Sequence, residues 1–332
     1  MSGVRRTPFN QYESIVLPMV EWLKNQGVRF EMNSTVTNLD FKPSENGKTV
    51  ECLYYLYDEK ENEIKINAND YVFVTIGSMV ADSSLGSMTT PAILKLKTSS
   101  FTWHLWENIS KNQPDFGYPS VFDKRINESK WASFTVTFRN PMFFQLMEKF
   151  SGNKAGTGGL ITFKDSNWLL SVALYHQPYF INQPDNVYVC WGYGLFPDNK
   201  GNYVQKKMAD CTGEEILTEL CSHLQFNKEL PLILNTSTCI PCIMPFITSQ
   251  FLTRKMGDRP QIIPKGSTNL AFIGQFCEIP DDVVFTVDYS VRLAQIAVYS
   301  LLKLNKKITP IYKGQYNIKV LFNALKTIFF PL

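Results

Sequence analysis

The pattern of apolar and polar positions divides the chain into segments with distinct periods. From Glu13 to Gln26 (ESIVLPMVEWLKNQ) apolar residues return at helical spacing on one face, and Gly27 follows as a stop, which predicts a helix. Val28 to Met32 alternates and predicts a strand; Asn33 to Asp40 predicts a turn running into a second strand. Val50 to Tyr57 and Glu63 to Ile66 complete a small antiparallel sheet, entered through the turn-rich SENGKT. Asp70 to Met79 (DYVFVTIGSM) differs: it is a continuous apolar run ending in Gly77-Ser78, the pattern of a parallel strand buried on both faces. Asn269 to Phe276 (NLAFIGQF) repeats it, ending in Gly274-Gln275. An acidic loop follows, then a helix from about Val287 to Lys303, with Thr286 as N-cap and Asp288 in its first turn.

Two such strands suggest a doubly wound nucleotide-binding sheet, in which ligands sit at the carboxyl ends of the strands and anionic groups at a helix N-terminus. The plainer reading, that Gly274 only turns the chain, stands beside it. Between these strands, Trp131 to Phe138 and Trp168 to Leu174 read as strands, and Pro141 to Phe150 and Gly213 to Leu224 as helices. This stretch carries Trp103, Trp106, Trp131, Trp168 and Trp191, which suit either ordinary core or the wall of a lipid-sized cavity. A G-x-G-x-x-G fingerprint is missing: Gly156-Thr-Gly158-Gly159 and Gly192-Tyr-Gly194 neither complete the spacing nor open a helix after a first strand. Either the fold is of another kind, or the chain is the C-terminal part of a longer protein.

Composition narrows the classes. With 332 residues, 44% hydrophobic and 19% charged, disorder and fibrous folds are excluded. A net charge of +3 argues against nucleic acid, and no apolar run reaches the ~18 residues of a membrane span. The start, MSGVRRTPFNQYES, lacks the apolar core of a signal peptide. Seven irregularly spaced cysteines, including the single Cys239-Ile-Pro-Cys242, fit free buried thiols and a cytoplasmic location; His104, His176 and His223 have no metal-ligand spacing. Tyr312 to Leu332 is basic and amphipathic. A helix of this kind lies peripherally on an anionic bilayer, docks on its own domain, or docks on a second subunit of a homodimer.

Long collinear motifs then point to a family. Gly266 to Arg292 (GSTNLAFIGQFCEIPDDVVFTVDYSVR) resembles the C-terminal signature of the oleate hydratases, also known as the myosin-cross-reactive antigen family. The matches continue with RTPFNQYES at Arg6 to Ser14, NDYVFVTIGSM at Asn69 to Met79 and PDFGYPSVFD at Pro114 to Asp123. ESKWASFTVTF at Glu128 to Phe138, SNWLLSVALYHQP at Ser166 to Pro178 and PFITSQFLTRKMGDRP at Pro245 to Pro260 complete the series.

The resemblance implies an FAD-containing hydro-lyase that adds water to the double bond of unsaturated fatty acids such as oleate and linoleate, without net redox. It implies an α/β fold: an incomplete doubly wound, glutathione-reductase-like FAD-binding sheet with an inserted α+β substrate domain and a C-terminal helical segment. The expected boundaries are 1–88 for the partial FAD-binding domain, 89–262 for the substrate domain, 263–303 for the return to the FAD-binding domain and 304–332 for the helical segment. The family's phosphate loop, catalytic carboxylate and catalytic tyrosine belong upstream of RTPFNQYES, so the isolated chain is expected to be inactive. Gln11 matches a glutamine beside the substrate double bond; Phe9 replaces the first tyrosine of the family's YNQY, and Tyr12 keeps the second. Where the family reads SWTINRQP this chain has SVALYHQP: Ala173 and Tyr175 replace the polar pair near the fatty-acid carboxylate, leaving Tyr175 and His176 as candidate head-group contacts. Expected flavin contacts are Val36, Gly77, Ser78, Gly274, Gln275, Phe285, Thr286 and Val287. Two other functions stay open beside hydration: a non-catalytic fatty-acid-binding protein and a flavin oxidoreductase.

Overall fold

The computed structural model describes residues 7–42, 48–157, 160–284 and 287–329. The chain is mixed α/β, with three sheets among these residues. A single π-helical turn, Tyr12–Val16, runs into α1 (Leu17–Asn25), which ends at Gly27 with φ +84°. Strands β1 (Ser34–Phe41), β2 (Val50–Tyr57) and β3 (Lys60–Lys65) form an antiparallel meander. Next come β4 (Val72–Thr75), β5 (Ser84–Leu85), α2 (Phe101–Ser110), and the short α3 (Ser120–Asp123) and α4 (Ile126–Ser129). The middle of the chain holds β6 (Trp131–Phe138), α5 (Met142–Ser151), β7 (Ile161–Thr162), β8 (Leu170–Leu174) and β9 (Tyr188–Gly194). It closes with α6 (Gly213–His223), α7 (Leu230–Thr236) and β10 (Ser237–Met244). The last elements are β11 (Leu270–Ile273), α8 (Val287–Leu301) and α9 (Ile318–Phe329).

Two apolar cores organise these elements. The first joins β1, β2, β4, α2, β11 and α8 around an aromatic stack. Trp106 lies 5.9 Å from Trp103 and 5.7 Å from Phe122, centroid to centroid, and donates its indole N–H to Phe116 O at 2.7 Å. The second fills one face of the six-stranded antiparallel sheet, ordered β5-β10-β6-β9-β8-β7, against α5, α6 and α7. Alternation along β6 explains that face: Ala132, Phe134, Val136 and Phe138 are buried beneath the helices, and the residues between them point the other way. Thr212 caps α6 through a reciprocal capping box with Glu215. Trp103, Trp106 and Trp168 are fully buried core residues.

The predicted parallel pair is observed: β4 and β11 lie side by side in register, Val72 opposite Leu270 and Thr75 opposite Ile273. Two expectations are corrected. Val28 to Met32 forms no strand; all five residues are exposed and, among the described residues, have no partner strand to turn their alternation into a buried face. Strand β4 is not buried on both faces, since Phe73 keeps 37% of its surface exposed and Tyr71 is exposed beside it. Among the described residues nothing covers the apolar face of the first helix: α1 buries no residue, and Trp22 is 62% exposed.

Candidate functional site

The face of the six-stranded sheet opposite its helices carries Trp131, Ser133 and Thr135 from β6, Trp191 and Tyr193 from β9, and Ser171 and Ala173 from β8. The pairing brings these together: Ser133 faces Tyr193, Thr135 faces Trp191, and Ala173 lies on the far side of Trp191. Trp131 stacks on Tyr193 at 5.0 Å and 12°, and Tyr193 meets Trp191 at 5.0 Å and 39°. Ile240, Cys242 and Met244 of β10 extend the same face. Strands β6, β8, β9 and β10 contain no charged residue, so this surface is aromatic, apolar and hydroxyl-bearing without formal charge. Ser133, Ser171 and Ala173 are buried, Thr135 is exposed, and Trp131, Trp191 and Tyr193 are partly so; such a face suits apolar contacts and offers little to a multiply charged ligand.

The aromatic row continues at the end of β8. Tyr175 stacks flat on Tyr179, with centroids 4.1 Å apart and planes 9° apart. Gln177 holds this turn against β9: its Nε2 donates to Tyr175 O at 3.0 Å and Val189 O at 2.9 Å, and its Oε1 accepts from Val189 N–H at 3.0 Å. Gln183 Oε1 accepts from Tyr179 N–H at 2.8 Å. The N-terminal motif is clasped to this turn across 169 positions of sequence. Asn10 N–H donates to Tyr179 O at 2.9 Å, and Glu13 Oε2 accepts from Ile181 N–H at 2.9 Å and from Asn10 Nδ2 at 2.7 Å. Asn10 Oδ1 in turn accepts the Glu13 N–H at 3.0 Å.

This clasp brings Gln11 and Tyr12 to the loop that follows Tyr175 and His176. Gln11, Tyr12 and His176 are exposed, and Tyr175 is half-buried in its stack. Asn10, Glu13, Gln177 and Gln183, which build the junction, were missed by sequence reasoning. Asn-x-x-Glu at 10–13 was a readable turn-capping signal; the two glutamines gave none.

The candidate flavin residues lie at the carboxyl ends of β4 and β11. Gly77 takes φ +65° and Gly274 φ +98°, conformations an L-residue enters only with strain. A Cβ on Gly77 would fall 2.7 Å from the ring of Phe276, and one on Gly274 3.0 Å from Thr75 Cγ2. Ser78 and Gln275 are half-buried beside them, and Val287 is exposed at the start of α8. Phe285 and Thr286 lie outside the described residues. Val36 of β1 pairs with Tyr55 of β2 and lines a cleft of about 690 Å³, together with all four residues of β4 and the first turn of α2. Burial acts to raise the Asp82 carboxyl, but hydrogen bonds from Ser99 and Thr98 and the charge of Lys95 outweigh it and hold it low. Asp82 thereby pins the loop at the rim of that cleft.

Other candidates prove structural. Gly192 and Gly194 are small because Phe134 and Met208 occupy the space a Cβ would need, at 2.3 Å and 2.4 Å. Cys239 and Cys242, three apart on β10, point to opposite faces; burial raises both thiols, Cys239 well above the ordinary range. Tyr289 is buried, donates to Cys277 O at 2.6 Å, and is pushed up to about 12, chiefly by burial. Arg292 finds its anionic partner in Asp282.

The sequence profile of the MCRA family matches residues 1–299. The chain belongs to the MCRA family. Among MCRA relatives it is 37% identical over 334 positions to an oleate hydratase of Streptococcus pyogenes serotype M49 (strain NZ131), an alignment covering 97% of this chain and 56% of the relative. It is 31% identical over 351 positions to a linoleate hydratase of Lactiplantibacillus plantarum, covering 98% of this chain and 61% of that protein. The chain thus spans less than two thirds of the length of either hydratase. Helix α9 lies beyond the matched residues and buries none of its own; no helix among the described residues is long and apolar enough to cross a membrane.

Proposed function

We propose that this MCRA chain is the fatty-acid-binding and flavin-facing portion of a hydratase acting on unsaturated fatty acids of the oleate and linoleate class. The observation that carries the reading is the uncharged Trp131–Tyr193–Trp191 face running into the Tyr175–Tyr179 stack, to which Asn10 and Glu13 clasp the segment bearing Gln11. The acyl chain lies along that face, and Tyr175 and His176 take the carboxylate end by hydrogen bonding. Gln11 and Tyr12 meet the substrate where the N-terminal motif joins the turn.

FAD is the cofactor of this reading, and the residues present fit one wall of its site. Half-buried Ser78 and Gln275 offer polar groups at the strand ends, where Gly77 and Gly274 turn the chain at positive φ, and Val36 lines the cleft beside β4. FAD held there would supply an aromatic, polarisable surface. Hydration forms a C–O bond from water at one alkene carbon and a C–H bond at the other, so no electrons are exchanged with a cofactor. An isolated alkene is a weak base, so the reaction needs a positioned acid and a held water. The residues named here bind and orient; they supply neither a strong acid nor a base, and the chain by itself is expected to bind substrate without turning it over.

Helix α9 favours delivery of substrate from a lipid surface. It exposes Ile318, Phe322, Ile328 and Phe329 along with Lys319 and Lys326, an apolar face flanked by cations.

The test is to purify residues 1–332 and measure oleate binding by calorimetry, flavin retention by absorbance, and 10-hydroxystearate by mass spectrometry. Oleate binding without product is expected. Absence of oleate binding removes the substrate-site assignment, robust turnover removes the division of labour, and NADH-dependent bleaching of bound flavin assigns an oxidoreductase instead.

A further inference from the structure

Two arginines share one buried cluster beside the end of β11. They stand five apart in Arg254-Lys-Met-Gly-Asp-Arg259, on either side of Gly257, which turns the chain at φ +92°. Both flanks of Arg259 are fixed. Tyr118 N–H donates to Asp258 O at 2.9 Å; beyond Arg259, Glu278 N–H donates to Pro260 O at 2.9 Å and Phe272 N–H to Ile262 O at 2.8 Å. The Arg259 side chain is thereby carried inward. It is 4% exposed, with its guanidinium carbon 6.0 Å from the centroid of the Phe122 ring.

The hydrogen bonding of this cluster is incomplete. Arg259 Nη2 donates to Gln250 O, and Arg254 Nη2 donates to Glu278 Oε1 at 2.9 Å. Among the described residues seven buried side-chain polar atoms lack a partner, and five of them lie here: Arg254 Nε, Arg259 Nε, Glu278 Oε2, Gln250 Oε1 and Ser249 Oγ. Buried polar groups are ordinarily paired, so such a concentration marks a place where a ligand or solvent completes the bonds. Charge is unbalanced as well, since two guanidinium groups face the one carboxylate of Glu278. Burial, and after it the neighbouring Arg254 charge, push the Arg259 guanidinium below its ordinary range. An unpaired buried charge is costly to keep, whereas a carboxylate accepts two parallel N–H bonds from a guanidinium.

Arg259 lines two cavities, of about 410 and 360 Å³. The larger is walled by Met256, Ile262, Ile263, Pro280 and Ile296, and its charged groups are Arg259 and Glu278. Small-molecule sites have this form, apolar walls with a few placed polar groups, and volumes of about 300–1,000 Å³. We propose that this cavity, between the 254–259 loop and α8, binds a small organic monocarboxylate, with its carboxylate on Arg259 and its apolar body against Ile262, Ile263 and Ile296. One uncompensated positive charge beside Glu278 selects a monoanion over a dianion, and the isoleucine wall selects an organic acid over an inorganic ion. None of the lining residues belongs to the aromatic face of the six-stranded sheet, and the site does not depend on the hydratase reading.

The experiment titrates octanoate into the full chain by calorimetry, beside octylammonium, which has the same body and the opposite charge, and inorganic phosphate, which has charge without the body. Bound octanoate is located by hydrogen exchange with peptide-level mass spectrometry. Only octanoate of the three should bind, slowing exchange in peptides spanning 252–263 and 276–283 and leaving 175–183 unchanged. Arg259→Gln should weaken octanoate ~10–100-fold, the worth of hydrogen bonds to a charged group. Should that buried substitution fail to fold, Met256 decides. It is 88% exposed at the cavity, so Met256→Glu should fold as wild type and weaken octanoate about two- to fivefold, whereas Met256→Lys should not weaken it. The proposal is overturned if octanoate does not bind, if octylammonium or phosphate binds as well as octanoate, or if protection falls on 175–183 instead. It is overturned too if a folded Arg259→Gln binds like wild type, or if Met256→Glu and Met256→Lys bind alike. Absence of octanoate binding with oleate binding intact condemns this site and leaves the functional reading standing; loss of oleate binding with octanoate bound does the reverse.

Discussion

Replacing Glu13 by alanine tests whether the N-terminal motif is held in place by the turn beyond β8. Glu13 Oε2 accepts two hydrogen bonds, from Ile181 N–H at 2.9 Å and from Asn10 Nδ2 at 2.7 Å. Hydrogen bonds to a charged group contribute roughly 1.5–3 kcal/mol when buried, and less at a half-exposed position such as this one. About 1 kcal/mol each is appropriate here, or ~2 kcal/mol for the pair. The loss is local, because neither apolar core includes Glu13 or Ile181. Opening of the clasp should become easier by that amount, a factor of ~30. Hydrogen exchange with peptide-level mass spectrometry should show faster exchange of peptides spanning 9–16 and 177–183, with β6 and β9 unchanged. Glu13→Gln, which keeps an acceptor and drops the charge, should fall between. If the 177–183 peptide of Glu13→Ala exchanged within about threefold of wild type, the clasp would not be what holds the motif, and the placement of Asn10 against Tyr179 would need another cause.

Two further outcomes follow from particular positions. Gly77→Ala should lower stability by ~2–4 kcal/mol in denaturant titration, combining ~1–2 for a left-handed alanine with overpacking against Phe276 at 2.7 Å; a loss below ~0.5 kcal/mol would refute the strain argument. Asp123, raised to about 6 chiefly by burial and further by Glu107 while Lys124 opposes, binds its proton more tightly folded than unfolded. Its contribution is therefore fully present below the unfolded carboxyl range and is lost as pH rises through about 6, up to ~3 kcal/mol before the depressed, oppositely signed Glu107 offsets part of it. Asp123→Asn should flatten the fall in melting temperature between pH ~4 and ~7; an unchanged slope would show that Asp123 does not titrate there.

Much of the architecture was determined by local pattern. The period-two alternation of Trp131 to Phe138 and the helical period of Gly213 to Leu224 reproduce β6 and α6 almost residue for residue. The apolar runs ending at Gly77 and Gly274 predicted the parallel pair. These signals are legible because the side chains that create them pack within the chain itself. Reading failed where a partner surface decides: Val28 to Met32 alternates yet has no strand to pair with among the described residues, and β4 reads as doubly buried yet leaves Phe73 exposed on one face. The motifs that identify the MCRA family were likewise in the sequence, as was the nomination of Gln11 and Tyr175. Only the tertiary structure showed that Asn10 and Glu13 bind the turn after Tyr175, and that Trp131, Tyr193 and Trp191 share one uncharged face. Those contacts depend on strand register and on hydrogen bonds between residues far apart in the chain, and no local period records which distant backbone group a side chain will find.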